Sequence, residues 1–179
     1  MPYLKSVSVR STVSRSIAYI LNPKKTEDLL YTASLNCMTN AKDAYLQMKA
    51  VFEHYSGKKY SEPPPKSGKG TVKAIHYIQS FDPADKHLTP EVAHRIAKAF
   101  VLKAFGENVQ AVISTHLDKG HQHNHVIINS YGVDGKKYNA NKKTLDELKL
   151  LSDRVCLDYG IKPYDKSKGC SFQSRLRDK

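Results

Sequence analysis

The 179-residue chain has no tryptophan and only three cysteines, and these scarcities narrow what it can be. Cys37, Cys156 and Cys170 are an odd number, widely spaced, with no CxxC pair. That excludes a disulfide-stapled scaffold and a zinc knuckle, and predicts reduced thiols in a cytosolic protein. The opening MPYLKSVSVRS lacks the apolar core of a signal peptide, and no apolar run reaches membrane-spanning length. Acidic residues are also scarce, 17 against 29 lysines and arginines, for a net charge of +12. Such an excess favours a polyanionic partner, most commonly nucleic acid. The length suits one domain with a real core.

Hydrophobic periodicity organises the chain. YLKSVSV (3–9) alternates and carries β-branched residues, predicting a first strand. Ser11 or Thr12 can cap a short helix holding Val13, Ile17, Ile20 and Leu21, which stops before Asn22-Pro23. YTASLNC reads as a second strand, and Asn40 opens a helix with Ala44, Met48, Val51 and Phe52 at helical spacing. Three prolines and three glycines in GKKYSEPPPKSGKGT predict a long basic surface loop, one that orders against DNA or stays mobile. VKAIHYIQSF is an interior strand, alternating Val72, Ala74, His76 and Ile78 against Lys73, Ile75, Tyr77 and Gln79. A helix from Thr89-Pro90 to Gly106 follows, then two strands, VQAVISTHL and HNHVIINSYG, joined by DKGHQ as a hairpin. DGKKYN is a turn, and TLDELKLLSDRVCLDYG closes on Gly160 as an amphipathic helix. A hairpin excludes an all-parallel sheet. The expectation is an α+β fold, a mostly antiparallel sheet flanked by helices, over residues 1–165, with 166–179 a polar basic tail leading into a linker.

Four of the eight histidines fall within THLDKGHQHNHVIIN (115–129). On a strand, residues i and i+2 share a face, so His123 and His125 present two imidazoles side by side. The hairpin folds His116 back beside them, giving three ligands with room left for water or a substrate oxygen, an open catalytic arrangement. A metal there would act as a Lewis acid on a carbonyl or phosphoryl oxygen. Asp118 can fix the tautomer of a ligand imidazole; His121 can be a fourth ligand, an acid–base group or a phosphate contact. Solvated histidines on a polar turn are the bland reading, which the H-x6-H-x-H spacing disfavours. The H-N-H triplet lies contiguous on one strand, unlike the nucleases named for those letters.

These blocks resemble, in order, the relaxases that start conjugative transfer, in the mobilisation class P branch of the HUH endonucleases. IAYILNPKKT resembles the first relaxase motif, whose tyrosine is the nucleophile, implying Tyr19. HYIQSF resembles the second, whose serine contacts DNA near the nick, implying Ser80. THLDKGHQHNHVIIN resembles the third, implying His116, His123 and His125 as ligands of a divalent metal. TASLNC is also similar to the family. Asn124 departs from it, standing where the family name implies a hydrophobic residue, and should point away from the metal face. The resemblance implies a central antiparallel sheet with the histidine hairpin in its middle strands. It further implies attack by Tyr19 on a DNA phosphodiester, with Asp118 or His121 as base. Mg²⁺ or Mn²⁺ suits phosphoryl transfer, while Zn²⁺, Ni²⁺ or Co²⁺ would suit three imidazoles. The implied partners are single-stranded or locally melted origin-of-transfer DNA, accessory DNA-binding proteins and a coupling protein, in the bacterial cytoplasm. Lys58, Lys59, Lys66 and Lys69 of the basic loop are the DNA-contact candidates.

Three rival readings remain at this level. Tyr138, with Lys142 four residues on in YNANK, resembles the Y-x-x-x-K helix of rolling-circle initiators and transposases. A metal-dependent phosphoesterase would use water in place of a tyrosine. A basic module without catalysis would bind nucleic acid alone.

Overall fold

The computed structural model describes residues 3–68, 70–118 and 121–162. Five strands, β1 (Tyr3–Val9), β2 (Thr32–Leu35), β3 (Ala74–Ser80), β4 (Ala111–His116) and β5 (His123–Asn129), form one sheet in the order β1-β3-β5-β4-β2. Every pairing is antiparallel. The helices are α1 (Val13–Ile20), α2 (Ala41–Ser56), α3 (Pro90–Phe105) and α4 (Lys142–Asp158). The expected α+β class holds, with the histidine hairpin in the middle strands.

Strand alternation divides the sheet into two faces. Ala74, Val112 and Ile127 pack under α1 and α2 against Ile17, Met48 and Phe52. Ile75, Tyr77, Ile113, Val126 and Ile128 face α3 and α4 against Ile96, Phe100, Leu148 and Val155. Both faces of the central strand are therefore covered, and β5 is buried at every position.

Local signals place the helices. Thr89 caps α3 by accepting from the Val92 amide, with Pro90 at the first turn, and Asn40 does the same for α2 from Asp43. Gly57 ends α2 with φ +66°, a conformation L side chains resist. The cap of α1 departs from expectation: Thr12 occupies the position, but its side chain makes no capping bond.

The proline-bearing loop is tied down on the protein itself. Tyr60 is buried against Phe52 and Tyr45, and its amide donates to Glu53 Oε1 at 2.7 Å. Composition marked the segment as polar and hid this aromatic anchor. Cys37 and Cys156 are free thiols. Lys69, Cys170 and the expected tail from 166 lie outside the described residues.

Candidate active site

The hairpin register places His116 directly opposite His123, and Ser114 opposite His125. All three histidines therefore leave the sheet on the α1 side. Each is buried, and one ring nitrogen from each falls within 4.8 Å of the others. Ring centroids are 4.3 Å apart for His116–His125, 5.0 Å for His123–His125 and 5.3 Å for His116–His123.

Each imidazole is oriented by its other nitrogen. His116 Nε2 donates to the Ile20 carbonyl at 2.9 Å, one of the carbonyls that a helix end leaves without an intrahelical partner. His123 Nδ1 donates to the His121 carbonyl at 3.3 Å. In those tautomers His116 Nδ1 and His123 Nε2 carry the lone pairs. His125 Nδ1 lies 2.8 Å from His76 Nε2 on the neighbouring strand. Where His125 donates this bond, its own Nε2 carries the lone pair. Burial pushes both His123 and His76 down to about 4, so they are neutral near pH 7. Three converging ring nitrogens fit a divalent metal.

Tyr19 sits on α1 one residue before Ile20, whose carbonyl holds His116. Its ring centroid is 5.5 Å from His116 and 5.6 Å from His125, and the side chain is 42% exposed. The helix period explains this: Ile17 and Ile20 are buried while Tyr19 turns to the rim. Tyr138 is placed differently, 8% exposed in the core on the opposite face. Its hydroxyl donates to the Phe105 carbonyl at 3.2 Å. It also precedes α4, so it and Lys142 do not share a helix.

Asp118 makes its closest contact with Lys25 Nζ, at 2.6 Å; His123 Nε2 is 3.9 Å away, too far for a hydrogen bond. Tautomer control at His123 thus rests with the His121 carbonyl, where the sequence pointed to Asp118. Burial pushes the Asp118 carboxyl up, but the hydrogen bond and charge of Lys25 prevail and hold it below its ordinary value. Lys25 is raised in turn, first by Asp118, and its ammonium lies 4.9 Å from the Tyr19 ring centroid. His121 stacks obliquely on His123 at 5.3 Å. Ser80 faces His123 in register at the same end of the sheet.

Two residues of this cluster were not singled out by pattern. His76 appeared only as one position of an alternating strand; its role depends on β3 pairing with β5, which the sequence does not display. Lys25 lies in a 3₁₀ turn, Pro23–Lys25, and meets Asp118 across 93 positions of chain. The basic loop, by contrast, is not at the histidines. Lys58 and Lys59 line a cleft with Lys73, at the end of β3 opposite Ser80, and Lys66 is exposed on that loop. Asn124 points away from the histidines as expected. It is fully buried among Thr115, Gln79 and the Ala93 carbonyl.

A family model described as "Relaxase: MobA/VirD2-like, nuclease domain" matches residues 19–161. "Protein rlx" of Staphylococcus aureus is 33% identical over 152 residues, covering 84% of this chain and 41% of that protein. "Group II intron-interrupted relaxase LtrB" of Lactococcus lactis subsp. cremoris (strain MG1363) is 30% identical over 183 residues, covering 86% and 32%. The chain spans about a third to two fifths of the length of these curated relatives. The solved MobM relaxase domain (MOBV; Mob_Pre) bound to 26nt pMV158 oriT DNA superposes with a TM-score of 0.57 at 17% identity, over 90% of each chain; that likeness concerns the fold. With the family model covering most of the sequence, the chain belongs to the MobA/VirD2-like relaxase nuclease-domain family.

Proposed function

We propose that this chain is the nicking domain of an HUH-type, mobilisation class P relaxase. It cuts one strand at an origin of transfer by tyrosine transesterification and later reseals it, starting conjugative transfer of a plasmid or integrative element. The observation that carries this reading is the Tyr19 ring against His116 and His125.

Tyr19 Oη attacks the scissile phosphorus in line. The bond to the 3′ oxygen breaks, and the 5′ phosphate stays esterified to Tyr19. A phenol ordinarily ionises near pH ~10. The Lys25 ammonium lies 4.9 Å from the Tyr19 ring centroid, and Asp118, kept ionised by Lys25, takes the hydroxyl proton during attack before it passes to the leaving 3′ oxygen. His121, at the rim, contacts the phosphate. His116, His123 and His125 would hold a divalent metal, Mg²⁺ or Mn²⁺ in function, which would supply charge neutralisation at the phosphoryl oxygens. Ser80 contacts DNA beside the nick. Resealing reverses the step, the 3′ hydroxyl attacking the phosphotyrosyl ester without ATP. The substrate is single-stranded or locally melted origin DNA, in the bacterial cytoplasm, with accessory and coupling proteins as further partners. No helix among the described residues is long and apolar enough to cross a membrane.

The test incubates oligonucleotides spanning the cognate origin with Mg²⁺ or Mn²⁺ and looks for an SDS-resistant protein–DNA adduct. Wild type and Tyr138→Phe form it; Tyr19→Phe and EDTA-treated protein do not. An adduct retained by Tyr19→Phe would overturn the nucleophile assignment. Strand cleavage without any adduct would instead identify a hydrolytic phosphoesterase, and EDTA-insensitive binding without cleavage a binding module.

A further inference from the structure

A cleft of about 310 Å³ opens beneath the proline loop, away from the histidines, and Arg10, Lys58, Lys59 and Lys73 line it with Glu62 as the acidic member. Four cations against one carboxylate leave an uncompensated positive charge in a concave site. Lys73 is 3% exposed, which is unusual for a lysine, and its ammonium donates to the Glu62 carbonyl.

The cleft is built into the fold. Arg10 Nε donates to the Gly70 carbonyl at 2.9 Å, and Lys58 Nζ to Thr71 Oγ1 at 3.2 Å. A Cβ at Gly70 would lie 2.9 Å from Pro64 Cβ, so glycine lets the returning chain close on the proline rim. Pro63, Pro64 and Pro65 also line the cleft without amide donors. Side-chain cations therefore supply its donors, in a form that suits phosphate oxygens.

We propose that this cleft is a second DNA site, holding a backbone phosphate of the strand whose scissile phosphate lies at Tyr19. This rests on the nicking function proposed above and deepens it. Lys73 precedes β3 by one residue, and Ile78 of β3 pairs with His125. Five residues at about 3.3 Å each put the cleft about 16 Å from His125 along the sheet. A stacked strand advances about 3.4 Å per nucleotide, so the contacted phosphate lies up to about five nucleotides from the nick. The cleft thereby fixes the register of the strand without reading its bases.

Fluorescence anisotropy across a salt series tests this, using the full chain and two oligonucleotides centred on the nick, one a few nucleotides long and one extending well past the cleft on both sides. Arg10→Gln/Lys59→Gln should weaken the long oligonucleotide at least tenfold at low salt, reduce its salt slope by about one, and leave the short one unchanged. Lys142→Gln/Lys143→Gln removes the same charge from α4, on the opposite face, and should not reproduce this length dependence. Equal losses on both lengths, no loss on either, or the same loss in the α4 control would overturn the proposal. A parallel titration with inorganic phosphate separates the sources: an Arg10-dependent phosphate site without length-dependent DNA binding would make this a free-anion pocket and sink the DNA assignment. Binding needs no adduct, so the cleft can stand if nicking by Tyr19 fails, and can fail if nicking stands.

Discussion

His76 stands behind His125, one of three imidazoles that could hold a metal ion, in a place that chemistry usually gives to a carboxylate or carbonyl. Its Nε2 is 2.8 Å from His125 Nδ1. A neutral acceptor there sets the His125 tautomer while adding no negative charge to the site. His76→Ala should weaken divalent-metal binding by about 10–100-fold, read by competition with a chromophoric chelator. His76→Gln, which keeps an acceptor, should recover much of that loss. Equal affinity in wild type and His76→Ala would refute the positioning role. Lys25 acts by charge on the other side of the cluster. Its ammonium lies 4.9 Å from the Tyr19 ring centroid and is paired with Asp118. Solvent and that pairing screen it well below the roughly 3 kcal/mol of a bare pair about 5 Å apart at an effective dielectric of about 20, leaving on the order of 10–100-fold in rate. Lys25→Met should slow adduct formation by roughly 10–100-fold, and Lys25→Arg should retain most of it. Single-turnover adduct kinetics give the answer, and an unchanged rate in Lys25→Met would remove Lys25 from the chemistry.

At the scale of elements, the β4–β5 hairpin carries the histidine cluster on one face and a buried polar network on the other. Behind the histidines, Asn124 donates to Gln79 Oε1 and to the Ala93 carbonyl, both at 2.8 Å, and accepts from Thr115 Oγ1 at 2.7 Å; Gln79 in turn donates to Ser152. This network ties β5 to β3, β4, α3 and α4. Asn124→Val should destabilise the fold by about 1–3 kcal/mol for each buried group left unpaired, seen as a lower urea midpoint, and adding Gln79→Met should restore part of it. A midpoint matching wild type would show that the network contributes nothing net. The elements themselves were legible where one period dominates: α3 between Thr89-Pro90 and Gly106, and a hairpin whose i and i+2 histidines share a face. Residues 22–31 were not. Glu27, Asp28 and Leu29 take left-handed φ values of 49°, 52° and 71° without a glycine to mark them, so no turn rule brings Lys25 to Tyr19. Strand order was hidden too, since nothing local says that β3 lies beside β5, and with it went His76.

At the scale of the whole molecule, withdrawing imidazoles partly or wholly from water on both faces of the sheet makes folding sensitive to acid. Burial pushes His76, His94 and His123 each down to about 4 from an ordinary value near 6.5. His94 lies on the α3 face, with Nδ1 3.2 Å from Thr115 Oγ1, across the sheet from His116, His123 and His125. Between these two values the unfolded chain binds more protons than the folded one, so stability rises with pH through that window. It is fully present above about 6.5 and is lost as pH falls toward 4. A tenfold change in proton affinity is worth about 1.36 kcal/mol, so each group contributes at most about 3 kcal/mol. The urea midpoint measured in EDTA should therefore fall steeply from pH 6.5 to 4, and His94→Gln should flatten that slope by about one proton. The net charge of +12 offers a competing cause, because protonating carboxylates adds to an existing repulsion. Salt separates the two. At 0.5 M NaCl repulsion between exposed charges is screened over a few ångströms, whereas desolvation of a buried imidazole is not. A slope that survives salt and weakens in His94→Gln assigns acid sensitivity to the buried histidines; a slope abolished by salt assigns it to surface charge instead.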